Sequence, residues 1–142
     1  MPRVILDTNV IVSAFLKSES NPALILSLFI EGYLSVCLCE DIWTEYREVL
    51  KRQRFRKLDH ESIEKILSII REKAIWAVPR VNVNILKSDP ADNKFLSCAL
   101  EYQADYLITG NTKHFPFKKF HGTRIINPKD FIELIGEAIS RK

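Results

Sequence analysis

The stretch that decides the fold is residues 4–10, VILDTNV, near the start of the 142-residue chain. Residues 4–6 form a short, continuous apolar run rich in β-branched side chains, which is typical of a strand buried on both faces of a parallel sheet. Asp7 ends this run, and apolar residues then recur at helical spacing as far as Leu16. The stretch therefore predicts a buried strand, an acidic residue at its carboxyl end and a helix directly after it.

The alternation of short apolar strands with amphipathic helices continues along the chain. Further strands are predicted at residues 34–39, 106–109 and 124–126, and helices at residues 21–30, 42–50, 59–73, 91–102 and from 128 onward. Residues 81–85 alternate between apolar and polar side chains, which predicts a short edge strand or an extended connector. We expect an α/β fold in which one domain, residues 1–142, has a mainly parallel central sheet flanked by helices.

Composition excludes several classes of protein. Of all residues, 46% are hydrophobic and 27% are charged, and 21 Lys and Arg against 18 Asp and Glu give a net charge of +3. This balance is that of a globular chain rather than a disordered one, and no apolar run approaches the roughly 20 residues of a membrane span. We expect a cytoplasmic protein that does not associate with membranes. Its three cysteines, Cys37, Cys39 and Cys98, are expected to be free thiols packed in the core.

Two acidic residues follow the first two predicted strands. Asp7 should emerge at the carboxyl edge of the sheet, where ligands bind in open α/β sheets. The simpler interpretation is that Asp7 or Thr8 caps the next helix. Glu45 lies about one turn into the helix after the second strand and borders the apolar stripe of that helix, whereas Asp41 and Glu48 point farther from it.

Asp92 is the third acidic candidate. Apolar residues at i+3, i+4, i+7 and i+8 from Asp92 place it on the inner stripe of the predicted helix, while Asn93, Lys94 and Ser97 are expected on the outer face. A carboxylate that points inward needs a partner. The alternative is a capping box, in which Asp89 caps the helix and Asp92 reaches back to it.

Carboxylates that meet at one edge of a sheet repel one another unless a cation neutralises them. Oxygen ligands without Cys or His favour Mg²⁺ or Mn²⁺, which can activate water and stabilise the leaving oxygen of a phosphodiester. The sequence contains neither a glycine-rich nucleotide-binding motif nor the G-x-S-x-G motif of serine hydrolases. These observations favour metal-dependent phosphodiester hydrolysis.

Positive charge is concentrated in two places. Residues 51–57 contain five cations, and a looser group follows the last acidic candidate. Such groups attract phosphates, but they are also typical of an ordinary solvated surface. The residues that we predict to contact a nucleic-acid backbone are Arg52, Arg54, Arg56, Lys113 and His114.

Four segments resemble, in order, the motifs of PIN-domain ribonucleases: VILDTNV at residues 4–10, TEYREVL at 44–50, DPADNKFL at 89–96 and ADYLITGN at 104–111. The resemblance implies a PIN-like domain with Mg²⁺- or Mn²⁺-dependent endoribonuclease activity, similar to the VapC-like toxins of prokaryotic toxin-antitoxin systems. It also implies a cognate antitoxin protein and a homodimer as partners, and single-stranded or structured RNA as substrate.

Residue by residue, the resemblance implies that Asp7, Glu45 and Asp92 hold the metal and carry out catalysis. A fourth position falls on Asn111 or Asp105, and Thr8, Asn9 and Thr109 are candidates for orienting the carboxylates or the water on the metal. Many relatives have Asp where this chain has Asn111, so a second metal should be held less firmly. Two alternatives therefore stay open: a catalytically weak module that binds RNA or an antitoxin, and a metal-dependent DNase.

Overall fold

The computed structural model describes residues 1–52 and 59–140, and its strands form one six-stranded sheet. The strands are β1 (Arg3–Leu6), β2 (Ser35–Leu38), β3 (Ile75–Trp76), β4 (Tyr106–Ile108), β5 (Lys119–Phe120) and β6 (Thr123–Ile126). They lie in the order β3-β2-β1-β4-β6-β5. All neighbouring strands pair in parallel except β5 and β6, which are antiparallel. The expected α/β fold with a mainly parallel sheet is confirmed.

The helices flank this sheet. They are α1 (Thr8–Leu16), α2 (Asn21–Ile30), α3 (Glu40–Leu50), α4 (His60–Lys73), α5 (Asn93–Tyr102) and α6 (Pro128–Ser140). Helix α5 packs against β1, β2 and β4, and α1 packs against α2 and α3. In the part of the chain that the structure describes, no helix is both long enough and apolar enough to cross a bilayer.

The core is centred on β1. Val4, Ile5 and Leu6 are fully buried, as predicted for a strand covered on both faces. The side chains of Tyr46 from α3 and Phe95 from α5 are also fully buried. Because helices pack on β1 from other parts of the chain, the position of Asp7 directly after it is tightly constrained.

The cysteines lie in the core as predicted. Cys37, Cys39 and Cys98 are buried free thiols. The thiol of Cys98 on α5 lies 3.5 Å from that of Cys37 on β2. These contacts belong to the packing of α5 on the sheet.

Residues 81–85 form an extended connector, the second of the two possibilities, and the edge strand β3 lies earlier, at Ile75–Trp76. Asn93 Oδ1 accepts hydrogen bonds from the backbone N–H groups of Ile85 and Leu86, at 3.2 and 3.0 Å. Ser97 Oγ accepts one from Val83 N–H at 2.9 Å. The prediction that Asn93 and Ser97 face solvent was therefore wrong, because the connector covers both side chains and needs them as hydrogen-bond acceptors.

Candidate functional site

The carboxyl ends of β1 and β4 place the first candidate residue. The N–H of Asp7 donates to the carbonyl of Ile108 at 2.9 Å, which continues the pairing of the two strands by one residue. Thr109 in turn donates its N–H to the carbonyl of Ile126 at 3.0 Å. Asp7 and Thr109 therefore stand side by side at the carboxyl edge of the parallel sheet, where a ligand site is expected.

Asp7 is 5% exposed, and one of its side-chain hydrogen bonds reaches the residue that follows β4. Its Oδ2 accepts from Thr109 Oγ1 at 2.6 Å and from Asn9 Nδ2 at 3.3 Å. Both side-chain bonds fall on the same oxygen. Asp7 occupies the capping position of α1, but its strongest side-chain hydrogen bond comes from Thr109, which follows β4, so the simple capping interpretation does not account for it alone.

Burial raises the pKa of Asp7 from 3.8 to about 6. The hydrogen bond from Thr109 opposes this rise, whereas the negative charges of Asp92 and Glu45 add to it. The three carboxylates are thus close enough to interact electrostatically, although they come from three separate segments of the chain. The charges of both other acidic residues that the sequence singled out therefore act on Asp7.

Glu45 has a partner at each oxygen. Thr8 Oγ1 donates to Oε2, and Lys94 Nζ lies 2.8 Å from Oε1. The adjacent residue on α3, Tyr46, donates its hydroxyl to the Leu6 carbonyl at 2.5 Å, which ties this helix to the end of β1. Glu45 is partly exposed while Asp41 and Glu48 are exposed, as the helical spacing predicts.

Asp92 lies in a short 3₁₀ turn, Pro90–Asp92, immediately before α5. Its side chain is 16% exposed, and its Oδ2 lies 2.9 Å from His114 Nδ1. This contact, rather than a capping box, occupies the carboxylate. The hydrogen bond to Asp92 raises the pKa of His114, and the charges of Asp89 and Asp92 act in the same direction.

Asp89 and His114 extend the acidic cluster. One ligand atom from each of Asp89, Asp92 and His114 lies within 4.8 Å of the other two, a spacing that suits a metal ion. Sequence reasoning considered Asp89 only as a cap and His114 only as an RNA contact. Asp89 could have been found from its spacing to Asp92 in the DPAD segment. The proximity of His114 to these residues could not, because it depends on the path of the loop after β4.

The loop after β4 also holds the remaining candidates. Gly110 donates its N–H to Asn9 Oδ1 at 3.0 Å, and a Cβ at position 110 would lie 3.3 Å from that oxygen. Asn111 donates its N–H to Thr109 Oγ1 at 3.0 Å. Asn9 and Thr109 thus connect Asp7 to this loop, and Asn111 takes part through its backbone.

Asp105 lies at the other end of β4. Its Oδ2 accepts the N–H of Arg3 at 2.9 Å, and its own N–H donates to the Arg3 carbonyl at 2.8 Å. Since β1 and β4 are parallel, this pairing puts Asp105 at the amino edge of the sheet and Asp7 at the opposite edge. The suggestion that Asp105 completes the acidic pocket was wrong.

The structure describes three of the five residues predicted to contact RNA, namely Arg52, Lys113 and His114. Arg54 and Arg56 lie outside the described residues, and Arg52 is exposed just after α3. Lys113 is exposed on the 3₁₀ turn that also contains His114. It lines a groove of about 580 Å³ whose walls include Phe117, Lys118, Arg124 and Asn127.

A divalent ion fits the donors gathered here. Oxygen ligands from carboxylates are those that Mg²⁺ and Mn²⁺ favour, and both side-chain hydrogen bonds to the buried Asp7 fall on one of its two oxygens. Burial is the largest cause of the raised pKa of Asp7, and the negative charges of Asp92 and Glu45 add to it, so a cation bound at Asp7 would offset both effects.

A family model described as the PIN domain matches residues 3–113. The chain belongs to the PIN-domain family. An uncharacterized protein of Methanocaldococcus jannaschii, MJ1680, is 30% identical over 149 aligned positions, which cover 97% of this chain and 94% of that protein. The family match covers the four segments that carry the resemblance, at residues 4–10, 44–50, 89–96 and 104–111.

The fold of this PIN domain is also similar to that of a chain in the crystal structure of VapBC2 from Rickettsia felis bound to a DNA fragment from their promoter. The TM-score is 0.59 and the sequence identity 19%, with 88% of this chain and 98% of the other covered. At this identity the similarity supports the fold.

Proposed function

We propose that this PIN domain is a metal-dependent endoribonuclease that hydrolyses RNA phosphodiester bonds. The observation that carries the proposal is that Asp7, Glu45 and Asp92 lie near one another at the carboxyl edge of the sheet, where burial raises the pKa of Asp7 and the charges of the other two add to the rise. A structural salt-bridge network would pair each acid with a base. Here the most buried acid, Asp7, is held by hydroxyl and amide donors instead.

The cofactor in this proposal is Mg²⁺ or Mn²⁺, held by Asp7 and Asp92. When bound, such an ion supplies an activated water and stabilises negative charge on the phosphate. Thr109 and Asn9 orient the Asp7 carboxylate, and Thr8 orients Glu45. Their hydrogen bonds fix the acidic side chains before substrate arrives, which is the condition for efficient electrostatic stabilisation.

The groove beside His114 suits the RNA backbone. Lys113, Lys118 and Arg124 supply positive charge, and the partly buried Phe117 lies among them. Phosphates are attracted to such a groove and bases can stack on aromatic rings. Lys113 directly precedes His114, and His114 contacts Asp92. An RNA strand bound in this groove would therefore lead to the acidic cluster.

We further propose that the protein is the toxin of a toxin-antitoxin pair, acts as a homodimer and is silenced by an antitoxin protein. The four motifs resemble those of PIN-domain ribonucleases, which implies similarity to the VapC-like toxins, and the similar fold of a chain of the VapBC2 complex also supports the proposal. Co-expression with the product of an adjacent small gene tests it: a stable complex that no longer cleaves RNA is expected. An uninhibited enzyme in that experiment contradicts the toxin assignment while leaving the nuclease proposal intact.

The nuclease activity is tested by cleavage of single-stranded and structured RNA in Mg²⁺ or Mn²⁺. Asp7→Asn and Asp92→Asn should each lower the rate at least about a hundredfold, because each removes a charge that holds the ion. Asp105→Asn is the matched control at the opposite edge and should leave the rate unchanged. Wild-type rates in Asp7→Asn would contradict the mechanism.

A second candidate function is a catalytically weak module that binds RNA or an antitoxin. It is favoured by the neutral Asn111 at the fourth position and by the cationic partner of Glu45. RNA affinity without metal-dependent cleavage would select it. Parallel assays on single-stranded and branched DNA distinguish a DNase from a ribonuclease.

A further inference from the structure

Lys94 lies within the acidic cluster, although its position in the helix predicted the outer face. Its Nζ is 2.8 Å from Glu45 Oε1 and also donates to the carbonyl of Ala91. The Lys94 side chain is 18% exposed, and that of Glu45 is 26% exposed. An ion pair so shielded from water is screened less than one on an open surface.

This contact gives each oxygen of Glu45 a donor, with Lys94 at Oε1 and Thr8 at Oε2. A divalent ion that bound Oε1 would lie close to the ammonium 2.8 Å from that oxygen, and the two positive charges would repel each other. Asp7 differs, because its side-chain hydrogen bonds come from the neutral donors Thr109 and Asn9.

The charge of Lys94 leads to the same conclusion. Its ammonium is a fixed positive charge beside Glu45, and a second divalent ion bound at Glu45 would have to lie close to it. Repulsion between a fixed ammonium and a nearby divalent ion is substantial even with strong solvent screening.

We propose that Lys94 is a positioning residue that holds Glu45 and supplies the positive charge of a second cation, so that the centre takes a single divalent ion on Asp7 and Asp92. This inference rests on the proposed metal-dependent function and specifies its metal requirement. Glu45 then acts through Lys94 and Thr8 by shaping the field around the ion. The neutral Asn111 is compatible with such a centre, since no second ion needs a fourth carboxylate.

The test is the number of Mn²⁺ ions bound per full-length chain, measured by calorimetry and by electron paramagnetic resonance. The wild type should bind one ion. Lys94→Met keeps the length of the side chain but removes its charge, so a second ion should bind and the first should bind at least about tenfold more tightly. Lys94→Arg should restore the single ion.

Lys87→Met is the matched control, because it removes an exposed cation two residues before Asp89. It should keep one ion of wild-type affinity, and thermal melting of each variant verifies that it is folded. Two ions on the wild type, or one ion of unchanged affinity on Lys94→Met, would overturn the inference.

Failure of the nuclease proposal gives a different result. Single-ion binding by the wild type and a second ion on Lys94→Met, without RNA cleavage by either, would refute the nuclease and support the role of Lys94. RNA cleavage by a wild type that binds two ions would support the nuclease proposal and refute the role of Lys94. A wild type that binds no Mn²⁺ would overturn both.

Discussion

Replacing Asp7 with Asn should stabilise the protein when no divalent ion is present. Burial raises the pKa of Asp7 from 3.8 to about 6. Above pH 6 the folded chain therefore holds an ionised carboxylate that is largely shielded from water. The difference of about two pKa units corresponds to about 3 kcal/mol of unfolding free energy. Asn keeps an oxygen that accepts from Thr109 and carries no charge.

The sign follows from proton binding. Between pH 3.8 and about 6 the folded state binds more protons at Asp7 than the unfolded state does, so this residue lowers stability as pH rises through that window. Above about pH 6 the loss of unfolding free energy caused by Asp7 has reached its full value. The advantage of Asp7→Asn should therefore be about 3 kcal/mol at pH 7.5 and about 1 kcal/mol at pH 4.5.

The assay is urea and thermal unfolding in EDTA at both pH values. At pH 7.5 the melting temperature of Asp7→Asn should exceed that of the wild type by roughly 10 °C. Asp41→Asn, which removes an exposed charge from α3, is the control and should shift it little. Added Mn²⁺ should stabilise the wild type and not Asp7→Asn. A variant less stable than the wild type at pH 7.5, or an advantage independent of pH, would refute the reasoning.

Three further changes test individual contacts. Thr109→Val removes the donor to Asp7, so the acid limb of the pH profile for RNA cleavage should move to higher pH, whereas Thr109→Ser should retain the wild-type profile. Asn93→Ala leaves two connector N–H groups without their acceptor and should cost about 2 to 3 kcal/mol in urea unfolding, with faster proteolysis near residue 85. Phe95→Ala empties a fully buried site and should cost about 3 to 5 kcal/mol, and a loss below 1 kcal/mol would contradict the packing.

The part of the site that could be predicted from the sequence is the part set by strand direction. A buried apolar run that ends in Asp7 determines which edge of the sheet that carboxylate reaches. The same reasoning places Asp105 at the opposite edge, because it precedes β4 instead of following it. Motif position alone suggested Asp105, and the parallel pairing with Arg3 excludes it.

Contacts between distant segments could not be predicted in this way. Helical spacing assigned Lys94 and Asn93 to the outer face of α5, but spacing describes a helix without its neighbours. Lys94 reaches Glu45, which is 49 positions away in the sequence, and Asn93 is covered by a connector without a strand partner. Asp92 was expected on the inner stripe of the helix, yet it precedes α5 in a 3₁₀ turn, and its partner His114 comes from the loop after β4.

The three carboxylates differ in how their charge is balanced, and this difference assigns them different tasks. Glu45 pairs with Lys94, and Asp92 lies beside His114, whose pKa is raised by that contact. Asp7, among the residues that the structure describes, is held by the neutral donors Thr109 and Asn9. Burial raises the pKa of Asp7, and a divalent ion beside it would offset this unfavourable energy. Below pH 6 the ion has to displace a proton from Asp7, so metal affinity should weaken in that range.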